Sequence, residues 1–303
     1  METRNMRADL TLLLVAAIWG FAFVAQRLGM DHLGPFGFNG CRFLLGAVSL
    51  LPLLWVFPPK TGSTEPGAML RGSVTAGILL FLGASLQQAG LLWTSAGNAG
   101  FITGLYIIIV PLMGLLLGYI TRLNTWLGGL LAVVGLYFLS VETSAANTVT
   151  INSGDLLVLG SAFFWAAHVV VIGRLASQLD NLRLAIIQFM ICALLSFMVA
   201  LIFEQDSLTL SNIALAWQPI AYAGLLSVGV AYTLQVVAQR NAPASHAAII
   251  MSLEAVFAAI GGWWLLNEGF SNRALIGCTL MLAGMILSQL NLFRRNRVVV
   301  TNG

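Results

Sequence analysis

Residues 10–28 read LTLLLVAAIWGFAFVAQRL, and this apolar stretch decides the class of fold. It is about 19 residues long, so as an α-helix it would extend about 28 Å, close to the thickness of the hydrocarbon core of a bilayer. Because it follows Arg4 and Arg7, it has the charge pattern of a secretory signal. Its length nevertheless favours a retained membrane-spanning helix.

Similar apolar stretches recur along the whole chain. Of the 303 residues, 59% are hydrophobic and only 8% are charged, whereas a soluble domain carries roughly a quarter charged residues. The mean hydropathy is +0.92. The sequence therefore predicts an all-α integral membrane protein, and its ten predicted transmembrane helices are 10–28, 35–57, 72–93, 98–120, 124–141, 154–173, 183–203, 217–238, 244–266 and 274–292.

The basic residues predict how these helices are oriented. Positive loops are rarely translocated, and the opposite side keeps only Arg27 and Arg273 if the amino terminus is cytoplasmic. We therefore expect a multi-pass protein of the bacterial inner (plasma) membrane with both termini cytoplasmic. The basic residues form no single patch, so no nucleic-acid partner is expected. Those assigned to the cytoplasmic side are Arg4, Arg7, Lys60, Arg71, Arg122, Arg174, Arg183, Arg240, Arg294, Arg295 and Arg297.

The two halves of the chain resemble each other. A shift of 146 residues aligns Asp9 with Asp155 and Trp19 with Trp165, and TSAGNAGF at residues 94–101 resembles NAPASHAA at residues 241–248. Since each half holds an odd number of predicted helices, the second half must enter the membrane upside-down relative to the first. Inverted repeats of this kind are typical of carriers that work by alternating access.

Trp19 and Trp165 are predicted to lie at the same depth. Each stands ten residues beyond its aspartate, which is about 15 Å into the membrane and near its centre. Tryptophan usually prefers the membrane interface. These two residues therefore either pack between helices or line a central substrate cavity from opposite halves.

Four stretches together resemble a known family: AAIWGFAFVAQR at 16–27, CRFLLGA at 41–47, TSAGNAGFITGLYIIIVPL at 94–112 and APASHAAIIMSLEAVFAAIGGWWLLNE at 242–268. In these stretches the chain resembles the drug/metabolite transporter superfamily, and within it the EamA-type ten-helix transporters. The resemblance implies two inverted five-helix repeats, residues 9–141 for helices 1–5 and residues 153–292 for helices 6–10. Residues 293–303 would form a basic cytoplasmic tail.

The resemblance also implies a function. It is secondary transport by alternating access, commonly the export of metabolites, amino acids or drug-like molecules, without a cofactor or ATP. One position departs from the family pattern, because Ala255 stands where the proline of LEPVF is expected, whereas Pro111 keeps the proline in the first half. For this reason we expect the ninth helix to be straighter around Glu254.

Two charged residues lie inside predicted helices. Glu254 and Arg42 would each cost roughly 2.5–3.5 kcal/mol at the membrane centre, so such residues normally face protein or a water-filled path. In a functional interpretation Glu254 binds a proton or a cationic group and Arg42 supports an anionic one. In a structural interpretation they hold the bundle together, paired with each other or with neighbouring amides, and Arg42 can also extend toward the interface.

Several uncharged polar residues are further candidates. His168 is one turn beyond Trp165, and Gln235, Tyr106 and Asn98 also lie in predicted helices. Interhelical hydrogen bonding is the competing interpretation for all of them. Gly114 and Gly118 are expected to let two helices approach closely.

Other classes of function fit the sequence less well. No HExxH pair, GxSxG elbow or acidic cluster with metal-ligand spacing is present, so neither an enzyme nor a metal site is expected. Cys41, Cys192 and Cys278 lie in apolar stretches without ligand spacing. The alternative is a membrane receptor or scaffold that does not transport. Expected partners are a small-molecule substrate, the lipid bilayer and protons, and a homodimer is left open.

Overall fold

The computed structural model describes residues 6–57, 65–94, 96–119, 121–140, 153–265 and 271–289, without the side chains of residues 96–98, 101, 139, 140 and 289. These residues form helices and no strand. The helices are α1 (Met6–Gly29), α2 (Pro35–Leu50), α3 (Leu53–Val56), α4 (Pro66–Gly90), α5 (Ala96–Gly104), α6 (Tyr106–Leu116), α7 (Leu123–Ser140), α8 (Ser153–Leu175), α9 (Asn181–Phe203), α10 (Leu210–Leu215), α11 (Trp217–Ala221), a π-helix (Tyr222–Tyr232), α12 (Thr233–Gln239), α13 (Ala244–Met251), α14 (Glu254–Leu265) and α15 (Asn272–Gln289).

Membrane-spanning helices are the dominant feature of this fold. Within the described ranges, seven helical segments are long and apolar enough to cross a membrane, and three shorter apolar helices accompany them. The all-α membrane fold expected from the sequence is therefore confirmed. The count of ten transmembrane helices and the inverted repeat stay predictions, and the predicted tail 293–303 lies outside the described residues.

The distribution of polarity suits a lipid environment. Large apolar side chains such as Leu116, Phe203 and Trp264 are exposed on the outside of the bundle, whereas Arg42 and Glu254 are buried inside it. In water this arrangement would expose apolar surface and bury charge, and both are unfavourable. In a bilayer it leaves the apolar surface against lipid and the charges against protein.

Glycines bring two helices into close contact, but they are not the two glycines that the sequence predicted, Gly114 and Gly118. Gly118 adopts a positive φ of 80° and ends α6, where the Tyr119 amide donates to the Gly114 carbonyl, so these glycines form a helix C-cap. The expectation that they bring two helices together is wrong. Close packing occurs instead between α7 and α15, where a Cβ on Gly128 would lie 2.5 Å from the Gly284 carbonyl oxygen.

Both fourth helices of the proposed repeats are interrupted. The break in the first half falls at Leu105, between α5 and α6, and that in the second half at Ser252 and Leu253, between α13 and α14. The expectation of a straighter ninth helix is therefore wrong. The Ser252 hydroxyl donates to the Ile249 carbonyl, and side-chain bonds of this kind compete with the helical ladder and bend it without a proline.

The close approach of α1 stabilises the second break. A Cβ on Gly20 would lie 2.6 Å from the Glu254 carbonyl oxygen and 2.4 Å from the Phe257 Cβ. Only glycine permits this distance, so the backbone of α1 packs directly on the first turn of α14. The break and the carboxylate of Glu254 are thereby placed at the centre of the bundle.

Candidate functional site

One cavity lies where α1, α2, α4, α5, α6, α8, the π-helix, α12, α13 and α14 meet. Its volume is about 40 Å³, which is room for a few water molecules, whereas ligand cavities typically measure about 300–1,000 Å³. The cavity must therefore widen before it binds a metabolite. It is lined by Trp19, Ala22, Phe23, Gln26, Arg42, Gln87, Thr103, Tyr106, Trp165, His168, Val169, Ser227, Tyr232, Gln235, Met251 and Glu254.

Aromatic rings form one wall of the cavity around Tyr232, the last residue of the π-helix. Its ring centroid lies 4.6 Å from that of Trp19 and 6.1 Å from that of Trp165, and the Trp165 pair is stacked at 22°. His168 meets Tyr232 edge-on at 6.3 Å. The two tryptophans thus approach the same ring, one from α1 and the other from α8.

Trp19 is oriented by a hydrogen bond as well as by packing. Its indole Nε1 donates to the Ser227 carbonyl at 3.3 Å, in the middle of the π-helix. π-Helical segments occur frequently at functional sites. The π-helix therefore fixes both Tyr232 and the ring that packs on it.

Arg42 is held inside the bundle and does not extend toward the interface. Only 2% of it is exposed, its Nε donates to the Asn39 side chain at 2.8 Å, and its guanidinium lies 4.9 Å from the centroid of Phe43. The Asn39 amide in turn donates to the Ala84 carbonyl of α4. Asn39 and Phe43 thus hold the positive charge of Arg42 at the cavity.

Glu254 supplies the negative charge of the cavity from the first turn of α14. It is 7% exposed, and no ion pair joins it to Arg42 among the described residues. The Tyr106 hydroxyl faces the Glu254 carboxyl, without completing a hydrogen bond to any described residue. The cavity is therefore lined by one basic and one acidic side chain that are not paired with each other in the described part of the chain.

Several buried polar atoms of residues that line the cavity have no hydrogen-bond partner among the described residues. These five atoms are Gln26 Oε1, Tyr106 Oη, Trp165 Nε1, His168 Nδ1 and Gln235 Oε1. Buried polar groups are costly when left unpaired. A polar solute or bound water would satisfy them.

Two of the polar residues are also held by hydrogen bonds, His168 directly to a neighbouring helix and Gln235 through Gln239 of its own helix. The other imidazole nitrogen of His168, Nε2, lies 2.9 Å from the Gln188 Oε1 of α9. The Gln235 amide donates to Gln239 Oε1 at 2.9 Å, and the Gln239 amide donates to the Val169 carbonyl. These bonds fix the orientation of each side chain and leave one polar atom of each, His168 Nδ1 and Gln235 Oε1, without a partner among the described residues.

The structure brings together seven of the eight candidates predicted from the sequence. The cavity is lined by Glu254, Trp19, Trp165, Arg42, His168, Gln235 and Tyr106. The side chain of Asn98 lies outside the described part of the chain. That these residues contact a substrate stays a prediction.

Sequence reasoning missed three polar residues of the same cavity, Gln26, Thr103 and Ser227. Gln26 follows Trp19 by seven residues and so shares its helical face, a signal that was available in the sequence. Thr103 accepts a hydrogen bond from Gln87 at 3.0 Å. This is a contact between two helices, and a single sequence does not show which helices are neighbours. Ser227 takes part through its backbone carbonyl, which any residue type carries.

The arrangement suits binding rather than covalent chemistry. Within the described residues, no three His, Cys, Asp or Glu side chains are grouped so as to hold a metal ion. Aromatic rings, one carboxylate, one guanidinium and several amides are groups that recognise a small solute by shape, charge and hydrogen bonding.

Comparisons with known proteins place the chain in a family. The model of the EamA-like transporter family matches residues 6–141 and again residues 152–290. An uncharacterized transporter of Archaeoglobus fulgidus is 31% identical over 288 residues, covering 95% of this chain and 87% of that protein. A probable amino-acid metabolite efflux pump of Salmonella typhimurium is 28% identical over 158 residues, about half of each chain.

A solved crystal structure shares the fold. It superposes with a TM-score of 0.79 at 17% sequence identity, over 96% of this chain and 99% of that one. With two family matches that together span nearly the whole described sequence, and with relatives named as transporters, the chain belongs to the EamA-like transporter family.

Proposed function

We propose that this transporter moves small zwitterionic metabolites, of which neutral amino acids with apolar side chains are the type, and that it works as an exporter. The observation that supports this most directly is that Arg42 and Glu254, a basic and an acidic side chain not paired with each other among the described residues, line one cavity. A zwitterion would place its carboxylate against the guanidinium and its ammonium against the carboxylate. The rings of Trp19, Trp165 and Tyr232 would cover an apolar side chain.

Export is proposed from the relatives. The Salmonella typhimurium protein that matches half of this chain is named a probable amino-acid metabolite efflux pump. The guanidinium, carboxyl group and aromatic rings that line this cavity are compatible with an amino-acid substrate. We therefore expect flux out of the cytoplasm in a chain embedded in the inner membrane.

Alternating access is the proposed mechanism. The cavity lies between elements of both halves, with Trp19 and Tyr106 from the first and Trp165 and Glu254 from the second. The family model matches the two halves separately, and the interrupted fourth helices stand at corresponding places. Two related halves around one narrow cavity can rock between an inward-open and an outward-open form.

Proton coupling is proposed to run through Glu254. A carboxylate without an ion-pair partner can exchange a proton as the cavity changes sides, as carboxylates in carriers and pumps do. A protonated Glu254 would release the substrate ammonium, and the Tyr106 hydroxyl that faces it can accept or donate a hydrogen bond in either state.

A membrane receptor or scaffold is the second candidate function. It would use the same cavity to bind a ligand, without moving it across the membrane. A transporter and a receptor would both bind a ligand in this cavity, and only a transporter would move it across the membrane. The test must therefore measure flux.

The experiment uses purified protein in proteoliposomes loaded with unlabelled leucine. Uptake of radiolabelled leucine by exchange is measured with leucine, leucinamide or 4-methylpentanoate added outside as competitors. The proposal predicts exchange that leucine inhibits much more strongly than either analogue, because each analogue lacks one charge. Equal inhibition by leucinamide would contradict the zwitterion site, and leucine binding without exchange would favour the receptor.

A further inference from the structure

Two hydrogen bonds join the halves of the chain in corresponding ways. Near the start of α1, Asp9 Oδ1 accepts a hydrogen bond from His246 Nε2 of α13 at 2.9 Å. Near the start of α8, Asp155 Oδ1 accepts one from Thr94 Oγ1, just before α5, at 2.5 Å. Asp9 and Asp155 are the aspartates that the 146-residue shift aligns. In each case the first helix of one half is bonded to the beginning of the interrupted helix of the other half.

The two contacts lie at opposite ends of the bundle. The Gln88 amide donates to the Gln26 carbonyl, so the carboxyl-terminal ends of α1 and α4 are neighbours. At that same end of α4, a Cβ on Gly90 would lie 2.9 Å from the Gly154 carbonyl oxygen at the start of α8. The aspartate of α8 is therefore at the end where α1 finishes, and the aspartate of α1 is at the other.

The cavity lies between the two contacts along the bundle. Trp19 stands ten residues beyond Asp9 on α1, and Trp165 ten beyond Asp155 on α8, so each contact lies about 15 Å from the aromatic wall. The Asp9 and His246 side chains are only 13% and 18% exposed. Both contacts are formed in this structure, and the cavity that lies between them is narrow.

We propose that Asp9–His246 and Asp155–Thr94 are the two gate contacts of the transport cycle, each of which breaks only when the cavity opens at its own end. The physical reason is that α1 packs along α13 and α14 while α8 packs along α5 and α6. These are the pairs of helices that must part to admit a solute at one end or the other.

This inference rests on the proposed alternating access, and its test does not depend on flux. Ser227→Cys, at the cavity, serves as reporter in a chain whose native cysteines Cys41, Cys192 and Cys278 are replaced by serine. Inside-out and right-side-out vesicles are treated with a membrane-impermeant maleimide, and the rate of labelling from each side is measured. A separate chain with a cysteine at the exposed Glu65, next to the start of α4, identifies the side on which the Asp9 end lies.

Two variants remove one donor each. His246→Phe should increase labelling from the Asp9 end relative to the other end by at least about fivefold, and Thr94→Val should change the ratio in the opposite sense. The conservative variants His246→Gln and Thr94→Ser keep a donor and should retain the parental ratio. The matched control is Thr75→Val, which removes an exposed hydroxyl of α4 that donates to the Arg71 carbonyl and should leave the ratio unchanged.

The outcomes distinguish failure of the gate proposal from failure of the proposed transport function. If His246→Phe and Thr94→Val shift the ratio in the same sense, or if neither shifts it while both proteins are folded by gel filtration, the gate proposal is wrong. If the ratios shift in opposite senses but no leucine exchange is found, the gates stand and the proposed transport of zwitterions is wrong.

Discussion

At the scale of single residues, the feature that most needs a functional reason is the pair of buried charges. A charge inside a membrane protein is costly unless it is paired or functional. Arg42 is oriented by Asn39 and by the ring of Phe43, whereas among the described residues Glu254 is faced by the Tyr106 hydroxyl and forms no ion pair. Glu254 is therefore the residue whose removal should change function most and folding least.

We predict that Glu254→Gln abolishes pH-driven leucine flux. The amide keeps the size and hydrogen-bonding capacity of the side chain, but it neither titrates nor carries the charge proposed to hold the substrate ammonium. The protein should therefore fold normally and bind leucine more weakly, so flux is compared at saturating leucine. Flux is measured in proteoliposomes with an imposed pH gradient. The matched control is Glu65→Gln, an exposed carboxylate beside Arg71, which should behave as the parent. Transport by Glu254→Gln with an unchanged pH dependence would refute the coupling role.

How far single residues can be predicted from the sequence depends on the signal each one carries. Trp19, Trp165 and Glu254 were found because an aromatic or charged residue in the middle of an apolar helix is unusual. Thr103 and Ser227 carry no such signal, since small hydroxyl residues are common in membrane helices. Their place at the cavity follows only from how the helices pack.

At the scale of elements, the membrane helices are readily predicted and their interruptions are not. Apolar length alone identifies a spanning segment. The break before Glu254 depends on the Ser252 hydroxyl bond and on the contact of Gly20 with α14, and neither is visible in local sequence. The presence or absence of proline at residue 255 was consequently a poor guide to the shape of the ninth helix.

We predict that alanine at two adjacent glycines of α7 has different effects on the stability of the protein. Gly128→Ala places a Cβ 2.5 Å from the Gly284 carbonyl oxygen of α15 and should lower stability by about 1–3 kcal/mol through overpacking. The Cβ of Gly129→Ala would lie 3.4 Å from the Ile108 side chain and 4.0 Å from the Ile107 carbonyl oxygen, so this change should be neutral or stabilise by up to about 1 kcal/mol through helix propensity. Thermal unfolding in detergent compares the two, and equal destabilisation would contradict the packing described for α7 and α15.

At the scale of the whole molecule, polarity and repetition together explain the architecture. Apolar side chains cover the outside, polar ones converge on one cavity, and the two family matches divide the chain in half. The hydropathy of the sequence predicted the apolar exterior, and the inverted repeat indicated by the 146-residue shift stays a prediction. The corresponding hydrogen bonds of Asp9 and Asp155 were not predicted, because Thr94 and His246 are different residue types and do not align.

We predict that both ends of the chain are cytoplasmic. The reason is the excess of Lys and Arg on one side of the predicted helices. Cysteines introduced singly within residues 294–303 should react with an impermeant reagent in inside-out vesicles and be protected in right-side-out vesicles. The opposite pattern would overturn the orientation and, with it, the direction assigned to export.

The Ser227→Cys reporter, with both gate contacts intact, shows whether one cavity serves as a substrate site that opens alternately to each side of the membrane. The reporter should be labelled from each side of the membrane. Saturating leucine should slow labelling from both sides. Labelling from one side only, or no protection by leucine from either side, would contradict a substrate site that opens alternately.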